Sequence, residues 1–515
     1  MTIPTQSDLQ HLFGQPSTLG GLFVVLWLIW RMKVILLKES HRSFTGIWSW
    51  ITDVKYLFYY ADDLQANYVS GIPYTISTSS NTFVHISSAA QVEELGEVPE
   101  GKLSLVALAE DMLRPKYTMD GFEVLEESVT GTSLQHRVLR TLLTANLLTL
   151  HAGLQRKISE SFDGEIYSSS LTPNSDWTTL RTFPMAKNVV RTATSFAFFG
   201  EQLSNDPVFL DAALQYPESV FMAAEALRYV PDFLAPTVVS WITQNHRASK
   251  VLVERLTPVI DARTGPRELH DLPPPKPNDC LQWIIDAAPR KNPWPTSKLI
   301  QITLGLWWAS IHQLSMTLTN ALYDLCEHVD YIDVLRDELG RCTMEGRPND
   351  LPLMDSFLKE SARLHPADTV SMRRKALSPY TFKDGLHIPT GSWVCAPSRA
   401  MMRDPANYVN PASFDGFRFV DKTTMDRHAC SITSISKYTD TEPKFLFWSH
   451  GRRACPGRFY ASHVLKLILR HILLHYDIKL ADKSEPRTFA WRTAIVPREN
   501  TRLLARRRKA KHMQY

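Results

Sequence analysis

The segment Phe445-Leu-Phe-Trp-Ser-His-Gly-Arg-Arg-Ala-Cys-Pro-Gly-Arg-Phe459 constrains the fold of this chain more than any other stretch. Gly451, four residues before Cys455, permits a left-handed or close-approach backbone. Pro456 pre-sets the first turn of a helix, and residues 464–474 give that helix an apolar body. The pattern predicts Cys455 at a helix N-terminus, where the dipole and free amides favour thiolate over thiol. Arg452 and Arg453 add positive charge nearby. A merely structural buried thiol would leave the flanking glycines, the cations and the helix start without a purpose.

The six cysteines, at 280, 326, 342, 395, 430 and 455, never approach one another closer than sixteen positions. That spacing removes every C-x-x-C zinc or redox pattern and argues against a disulfide scaffold. The cysteines other than Cys455 read as small apolar packers in a reduced, cytosol-facing protein. With 57 Lys plus Arg against 53 Asp plus Glu, bulk charge is too even to draw the chain to nucleic acid. A hydrophobic share of 44% argues against a disordered chain and against a multi-spanning membrane protein.

Between Asp8 and Arg31 the chain carries no Asp, Glu, Lys or Arg. Residues 18–37 reach the roughly 20 residues that span a bilayer, provided Arg31 and Lys33 snorkel to the interface. Trp27 and Trp30 suit the headgroup belt, and Arg31, Lys33, Lys38 and Arg42 put the following chain on the cytosolic side. A basic n-region and a small-residue cleavage pattern are both missing, which favours a retained anchor over a cleaved signal peptide. The expected division is residues 1–45 as anchor and flank, and 46–515 as one catalytic domain.

Beyond the anchor, Tyr74-Thr-Ile-Ser-Thr-Ser and Thr82-Phe-Val-His-Ile-Ser87 predict a strand pair turning at Ser79-Ser-Asn81. Apolar residues at i, i+3, i+4 and i+7 predict long helices over about 132–160, 206–255 and 297–330. Pro295-Thr-Ser297 supplies the start of the last one. The Pro-rich Leu272-Pro-Pro-Pro-Lys-Pro277 reads as an internal loop, because neither side of it holds a self-sufficient set of motifs. Residues 385–394 predict a hairpin returning into a strand. Arg506-Arg-Arg-Lys509 with Lys511 reads as a solvated basic tail.

In Phe357-Leu-Lys-Glu-Ser-Ala-Arg-Leu-His-Pro366, Glu360 and Arg363 stand at i and i+3, on one face of a helix that ends before Pro366. Alone, such a pair is a weak motif. Together with the Cys455 loop and with Phe414-Asp-Gly-Phe-Arg-Phe419 further on, it resembles the cytochrome P-450 family. There a cysteine thiolate is the axial ligand of haem iron, with Phe seven residues before it, Gly at minus four, Arg at minus two and Gly at plus two. Trp448 holds the Phe position here, with Phe447 beside it. The resemblance covers the chain from residue 45 onward and implies a buried trio, Glu360, Arg363 and Arg418, that fixes the haem-side scaffold. The implied fold is mainly α with a smaller β part: a helical bundle enclosing haem, a small amino-terminal sheet, and one amino-terminal transmembrane helix.

The family's distal helix usually carries a small residue, then an acid followed by Thr, which deliver protons for dioxygen chemistry. Matching through Ala309 and Ser310 puts His312 at the acid position and Gln313 at the Thr position. Histidine relays protons near neutral pH, whereas Gln lacks the hydroxyl but holds an ordered water. Ser315 is the nearest hydroxyl, and Thr317 lies four residues after Gln313. A purely structural His312 stays open as an alternative. For the haem propionates the resemblance points to His136 and Arg140, at i and i+4, joined by Arg373 or Arg374 and by Arg453. Trp307 and Trp308 are candidates to shape the pocket.

The resemblance therefore implies a membrane-anchored haem b monooxygenase acting on a large apolar substrate, as in fungal secondary metabolism of terpenoid, indole-diterpene or polyketide scaffolds. The chain has no Gly-rich flavin or dinucleotide loop, so electrons are expected from an NADPH-dependent cytochrome P-450 reductase docking on the Cys455 side at Arg452 and Arg458. The implied place is the endoplasmic reticulum membrane, single-pass, with the catalytic domain cytosolic and no nucleic-acid partner. Two other readings stand beside it. One is a haem-thiolate isomerase or dehydratase that needs no reductase, to which Gln313 lends weight; the other is a non-catalytic haem-binding protein.

Overall fold

The computed structural model describes residues 59–78, 81–120, 134–169, 176–228, 230–265, 276–289, 291–424 and 432–508. The expected anchor at 18–37, Ser79 and Ser80 of the expected turn, and the Pro-rich stretch through Pro275 lie outside the described residues. Among the described residues no helix is long and apolar enough to cross a membrane.

The helices of eight or more residues are α1 (Ala89–Glu97), α2 (Leu105–Leu113), α3 (Leu147–Ser169), α4 (Thr182–Ser204), α5 (Pro207–Leu227), α6 (Ala235–Ile242), α7 (Arg247–Thr264), α8 (Cys280–Ala287), α9 (Thr296–Trp308), α10 (His312–Glu327), α11 (Asp330–Met344), α12 (Pro352–Leu364) and α13 (Arg458–His475). Local chemistry starts several of them. Ser88 and Gln91 close a reciprocal cap on α1. Asp206 accepts from the amides of Val208 and Phe209, while Pro207 fills the position whose amide needs no partner. Helix α12 also begins at a proline, and its cap comes from another element: Glu338 of α11 accepts from the amides of Leu353 at 2.6 Å and Met354 at 3.0 Å.

Each long periodic stretch is interrupted. The first becomes a short helix, Leu134–Arg137, running into a π-helical segment, Val138–Leu143, before α3. The second splits into α5, α6 and α7, with Gln244, Asn245 and His246 left-handed at φ 50°, 59° and 57°. The third breaks between α9 and α10. There the Ser310 hydroxyl donates back to the Leu306 carbonyl at 2.8 Å, and the Ser310 amide takes the Trp307 carbonyl at 2.9 Å, a local competition with regular helix bonding.

The strands are β1 (Tyr74–Ser77), β2 (Thr82–His85), β3 (Leu103–Ser104), β4 (Thr178–Arg181), β5 (Ser371–Ala376), β6 (Tyr380–Thr381), β7 (His387–Ile388), β8 (Trp393–Ala396), β9 (Tyr476–Leu480), β10 (Thr488–Trp491), β11 (Ala494–Pro497) and β12 (Arg502–Arg507). The expected β1/β2 pair is antiparallel, Tyr74 opposite His85, and opens a five-stranded sheet in the order β1-β2-β8-β5-β3, where β8 joins β2 in parallel. The hairpin expected over residues 385–394 lies earlier: β6 pairs with β7, Tyr380 opposite Ile388, and the chain returns as β8, which pairs with β2 and β5. The basic terminus departs from a solvated tail through residue 508. Arg506 and Arg507 belong to β12, which lies between β4 and β9, and Arg506 and Arg508 pair with Asp477.

One apolar core draws on residues from Leu113 to Ala505, and both α8 and α9, on either side of residue 290, feed it. A second core, including Val84, Ile86, Val92 and Leu446, joins the five-stranded sheet to α1 and to the chain just before the Cys455 loop.

Candidate active site

Cys455 stands between a 3-10 turn, Gly451–Arg453, and the start of α13. Its amide donates to the Trp448 carbonyl at 2.8 Å. Gly451 takes φ +73°, and a Cβ there would meet the Gly96 backbone at 2.5 Å, so the loop lies directly on α1. Nothing in the sequence marks Gly96 as the other half of that contact. Trp448 fills the aromatic position with its Nε1 donating to the Tyr438 carbonyl at 2.6 Å.

Cys280, Cys326, Cys342 and Cys395 are buried, whereas Cys455 keeps part of its surface open. The helix start does not win the electrostatic balance expected from sequence. Burial pushes the Cys455 thiol up, and the Gly457 amide, the Arg458 guanidinium and the Arg458 amide only partly pull it back. Those same donors are the ones that would favour a metal-ligating thiolate.

The structure brings Glu360, Arg363 and Arg418 together. Arg363 grips Glu360 through Nε at 2.7 Å and Nη2 at 2.8 Å. Its remaining N–H groups reach the carbonyls of Met402, Pro411 and Ser413, so all five donors are used. Arg418 Nε completes the trio at 3.0 Å from Glu360, which is fully buried. Lys359, beside Glu360, is also fully buried and pairs with Glu442 at 2.8 Å. Its ammonium sits 4.7 Å from the Phe419 ring and 4.6 Å from the Phe445 ring. It ties α12 to the chain leading into the Cys455 loop, a role its sequence neighbours do not announce.

Around the loop the structure gathers cations. Arg453 pairs with Glu100 at 3.1 Å, just ahead of α2. Burial, then the charges of Arg140, Arg453 and Arg458, push the His136 pKa down. Alternation along β5 turns Arg373 and Arg374 to opposite faces. Arg373 donates to Asp368 and to Thr493, both at 2.7 Å. Arg374 is buried; its Nη1 donates to the Arg373 carbonyl at 2.7 Å, and its Nη2 has no hydrogen-bond partner. Burial lowers its pKa to about 10, with Glu100 opposing and Arg453 adding to the fall. A buried guanidinium with an unmet donor beside Arg453 fits an anionic cofactor carboxylate. Of the two cations expected on a docking surface, Arg452 is exposed and pairs with Glu97 at 2.9 Å. Arg458 is instead buried and donates to the Thr439 and Cys455 carbonyls, both at 2.9 Å, so it braces the loop.

Along α9, the break and the start of α10, Gly305, Ala309 and Gln313 are exposed at four-residue steps, while most of their neighbours are buried. This opens a strip of small and polar side chains on helices that otherwise build the core. His312 is half-buried, its Nε2 buried and unpartnered, and burial pushes its pKa down. The two hydroxyls nearby are already engaged: Ser315 donates to the Ile311 carbonyl at 2.9 Å, and Thr317 to the Gln313 carbonyl at 2.7 Å. Trp307 is fully buried with Nε1 on the Ala213 carbonyl at 2.8 Å, so it is core and not pocket wall. Trp308 is half-buried, with Nε1 unpartnered.

Known proteins share both fold and sequence. The family profile described as Cytochrome P450 matches residues 117–505. Cytochrome P450 monooxygenase 151 of Postia placenta is 28% identical over 501 residues, covering 95% of this chain and 97% of its own. Cytochrome P450 monooxygenase paxP of Penicillium paxilli is 31% identical over 435 residues, 80% of this chain and 82% of its own. Among solved structures, a retinoic-acid-bound cyanobacterial CYP120A1 matches with TM-score 0.62 at 19% identity, covering 87% of this chain and 94% of its own. A profile match across most of the length, two fungal relatives and a Cys455 loop backed by the Glu360 trio agree: the chain belongs to the cytochrome P450 family of haem-thiolate monooxygenases, with haem b as cofactor.

Proposed function

We propose that this protein is a membrane-anchored monooxygenase that oxidises a large apolar secondary metabolite, terpenoid in type, with electrons from an NADPH-dependent cytochrome P450 reductase. Residues 1–45 form the anchor and flank, a single pass in the endoplasmic reticulum membrane, and 46–515 one catalytic domain on the cytosolic side. Haem b, when bound, supplies dioxygen activation and oxygen transfer. Cys455 would hold its iron, a role carried by one observation: this thiol alone among the described cysteines keeps open surface, on a loop pinned to α1 at Gly96. Arg374, Arg453, Arg140 and His136 hold the propionates, Arg374 taking the place that Arg373 gives up to Asp368 and Thr493. Gly305 and Ala309 leave room for substrate on the distal strip, Trp308 borders it, and Gln313 orders a water where the family usually has a hydroxyl.

The test is full-length protein in microsomes with the reductase, presented with a terpenoid panel. NADPH-dependent oxidised product and a thiolate-type carbon monoxide band in the reduced protein are expected, and Cys455→Ala should abolish the band completely. Retention of the band in Cys455→Ala would refute the ligand assignment. Substrate turnover with no electron donor would replace the monooxygenase with an isomerase or dehydratase.

A further inference from the structure

A polar cluster separate from the Cys455 loop packs against the distal helix. Lys187 of α4 bridges Glu499 at 2.8 Å and Glu218 of α5 at 3.4 Å, and its ammonium lies 5.0 Å from the Phe183 ring. Phe183 in turn packs with Met316 of α10, with Ala367 and with Val496 in one small buried cluster. Phe183 is one turn before Lys187, Met316 one turn after His312, and Val496 three residues before Glu499. The same stacking therefore sets His312 and Lys187 on adjoining turns of packed helices.

The groups that bear on His312 come from three elements: Glu218 on α5, Lys187 on α4, and Glu499 between β11 and β12. Burial dominates and disfavours the imidazolium, Glu218 and Glu499 favour it, and Lys187 opposes it. Side-chain exposure falls from 40% at Glu218 to 17% at Glu499 and 15% at Lys187, so the cluster leads from solvent inward. At its inner end the buried Nε2 of His312 has no hydrogen-bond partner.

We propose that Glu218, Lys187 and Glu499 form the solvent-side arm of a proton path ending on His312, with Lys187 holding the two carboxylates in position. A proton taken from solvent at Glu218 passes to Nε2 of the neutral imidazole, and the imidazolium turns its ring, releases that same proton toward the Gln313 strip and turns back, its Nδ1–H tautomer unchanged. Glu218 is then reprotonated from solvent, so each turnover moves protons without net change in the chain and without moving electrons. The arm supplies a protonatable group where Gln313 has no hydroxyl to offer. This inference rests on the reading that places His312 at the acid position of the family's distal helix.

The experiment uses full-length holoenzyme with ring-labelled histidine, in the diamagnetic reduced carbon monoxide form, with His312→Asn to assign the signal. Glu218→Gln and Glu499→Gln are expected to lower the His312 titration midpoint, and Lys187→Met to raise it. In NADPH-driven turnover, Glu218→Gln, at a side chain exposed enough to tolerate it, should cut product per NADPH by roughly twofold or more, with the lost electrons recovered as peroxide. Glu218→Asp should restore part of the coupling, and the carbon monoxide band should stay unchanged throughout. A midpoint indifferent to all three substitutions, or full coupling in Glu218→Gln, overturns the path. Unchanged coupling in His312→Asn is a separate failure, that of the distal role itself.

Discussion

Arg363 puts all five of its N–H groups on partners, while at the α9/α10 break His312 and Trp308 each bury a ring nitrogen that has none. Both regions pack against the same apolar core. A fully bonded polar network specifies one rigid arrangement. An unmet polar atom costs free energy and persists where a ligand or a proton uses it. On that contrast, the trio fits a scaffold and the break fits the place proposed for the chemistry. Arg374 belongs with the second group, although it stands near Arg453 and Glu100 on the loop side.

The contrast is tested most severely at Arg363. Arg363→Met leaves Glu360 buried with Arg418 as its remaining cation, and breaking one partner of a buried ion pair costs about 3–5 kcal/mol. Denaturant unfolding of the holoprotein should show that loss, along with weaker haem retention. A loss below about 1 kcal/mol would mean that the saturated network is ornamental to the scaffold.

How much of this was legible in sequence follows the same divide. Cys455 with Gly451, and Glu360 with Arg363, lie within short contiguous segments where spacing translates directly into geometry. Arg418 needed the family resemblance, since a partner 58 positions from Glu360 follows from no local rule. The break at Ser310 was invisible because apolar periodicity runs straight through it, while the hydroxyl that bends the backbone is one atom. Choosing Arg374 over Arg373 requires knowing strand parity in β5, and placing Arg458 under the loop requires knowing where Thr439 returns. Gly96, Lys359 and Lys187 act through packing between distant segments.

A middle-sized effect comes from Glu338, which blurs the divide. Its carboxylate is bonded to two amides of α12, yet burial raises its pKa from an ordinary 4.5 to about 7, against the pull of those amides and of Lys466 and with the push of Asp355. The folded pKa lies above the unfolded one, so its contribution is full below about 4.5 and is lost as pH rises through about 7. The window corresponds to on the order of 3 kcal/mol. Unfolding free energy of the wild type should fall across it relative to Glu338→Gln, which cannot ionise. Parallel pH profiles for the two proteins would show that two amide bonds do hold the charge.

The smallest effect on stability should come at Gln313, and there it is most informative. The side chain is exposed, so Gln313→Ala should change stability by no more than about 0.5 kcal/mol. Product formed per NADPH should nevertheless fall under the proposed role, in which Gln313 orders a water for proton delivery. The double variant with Glu218→Gln then decides whether the two residues share one route. Groups in series are non-additive, so the double variant should be hardly worse than Glu218→Gln alone. Multiplying effects would place Gln313 on a path of its own, apart from the Glu218 arm.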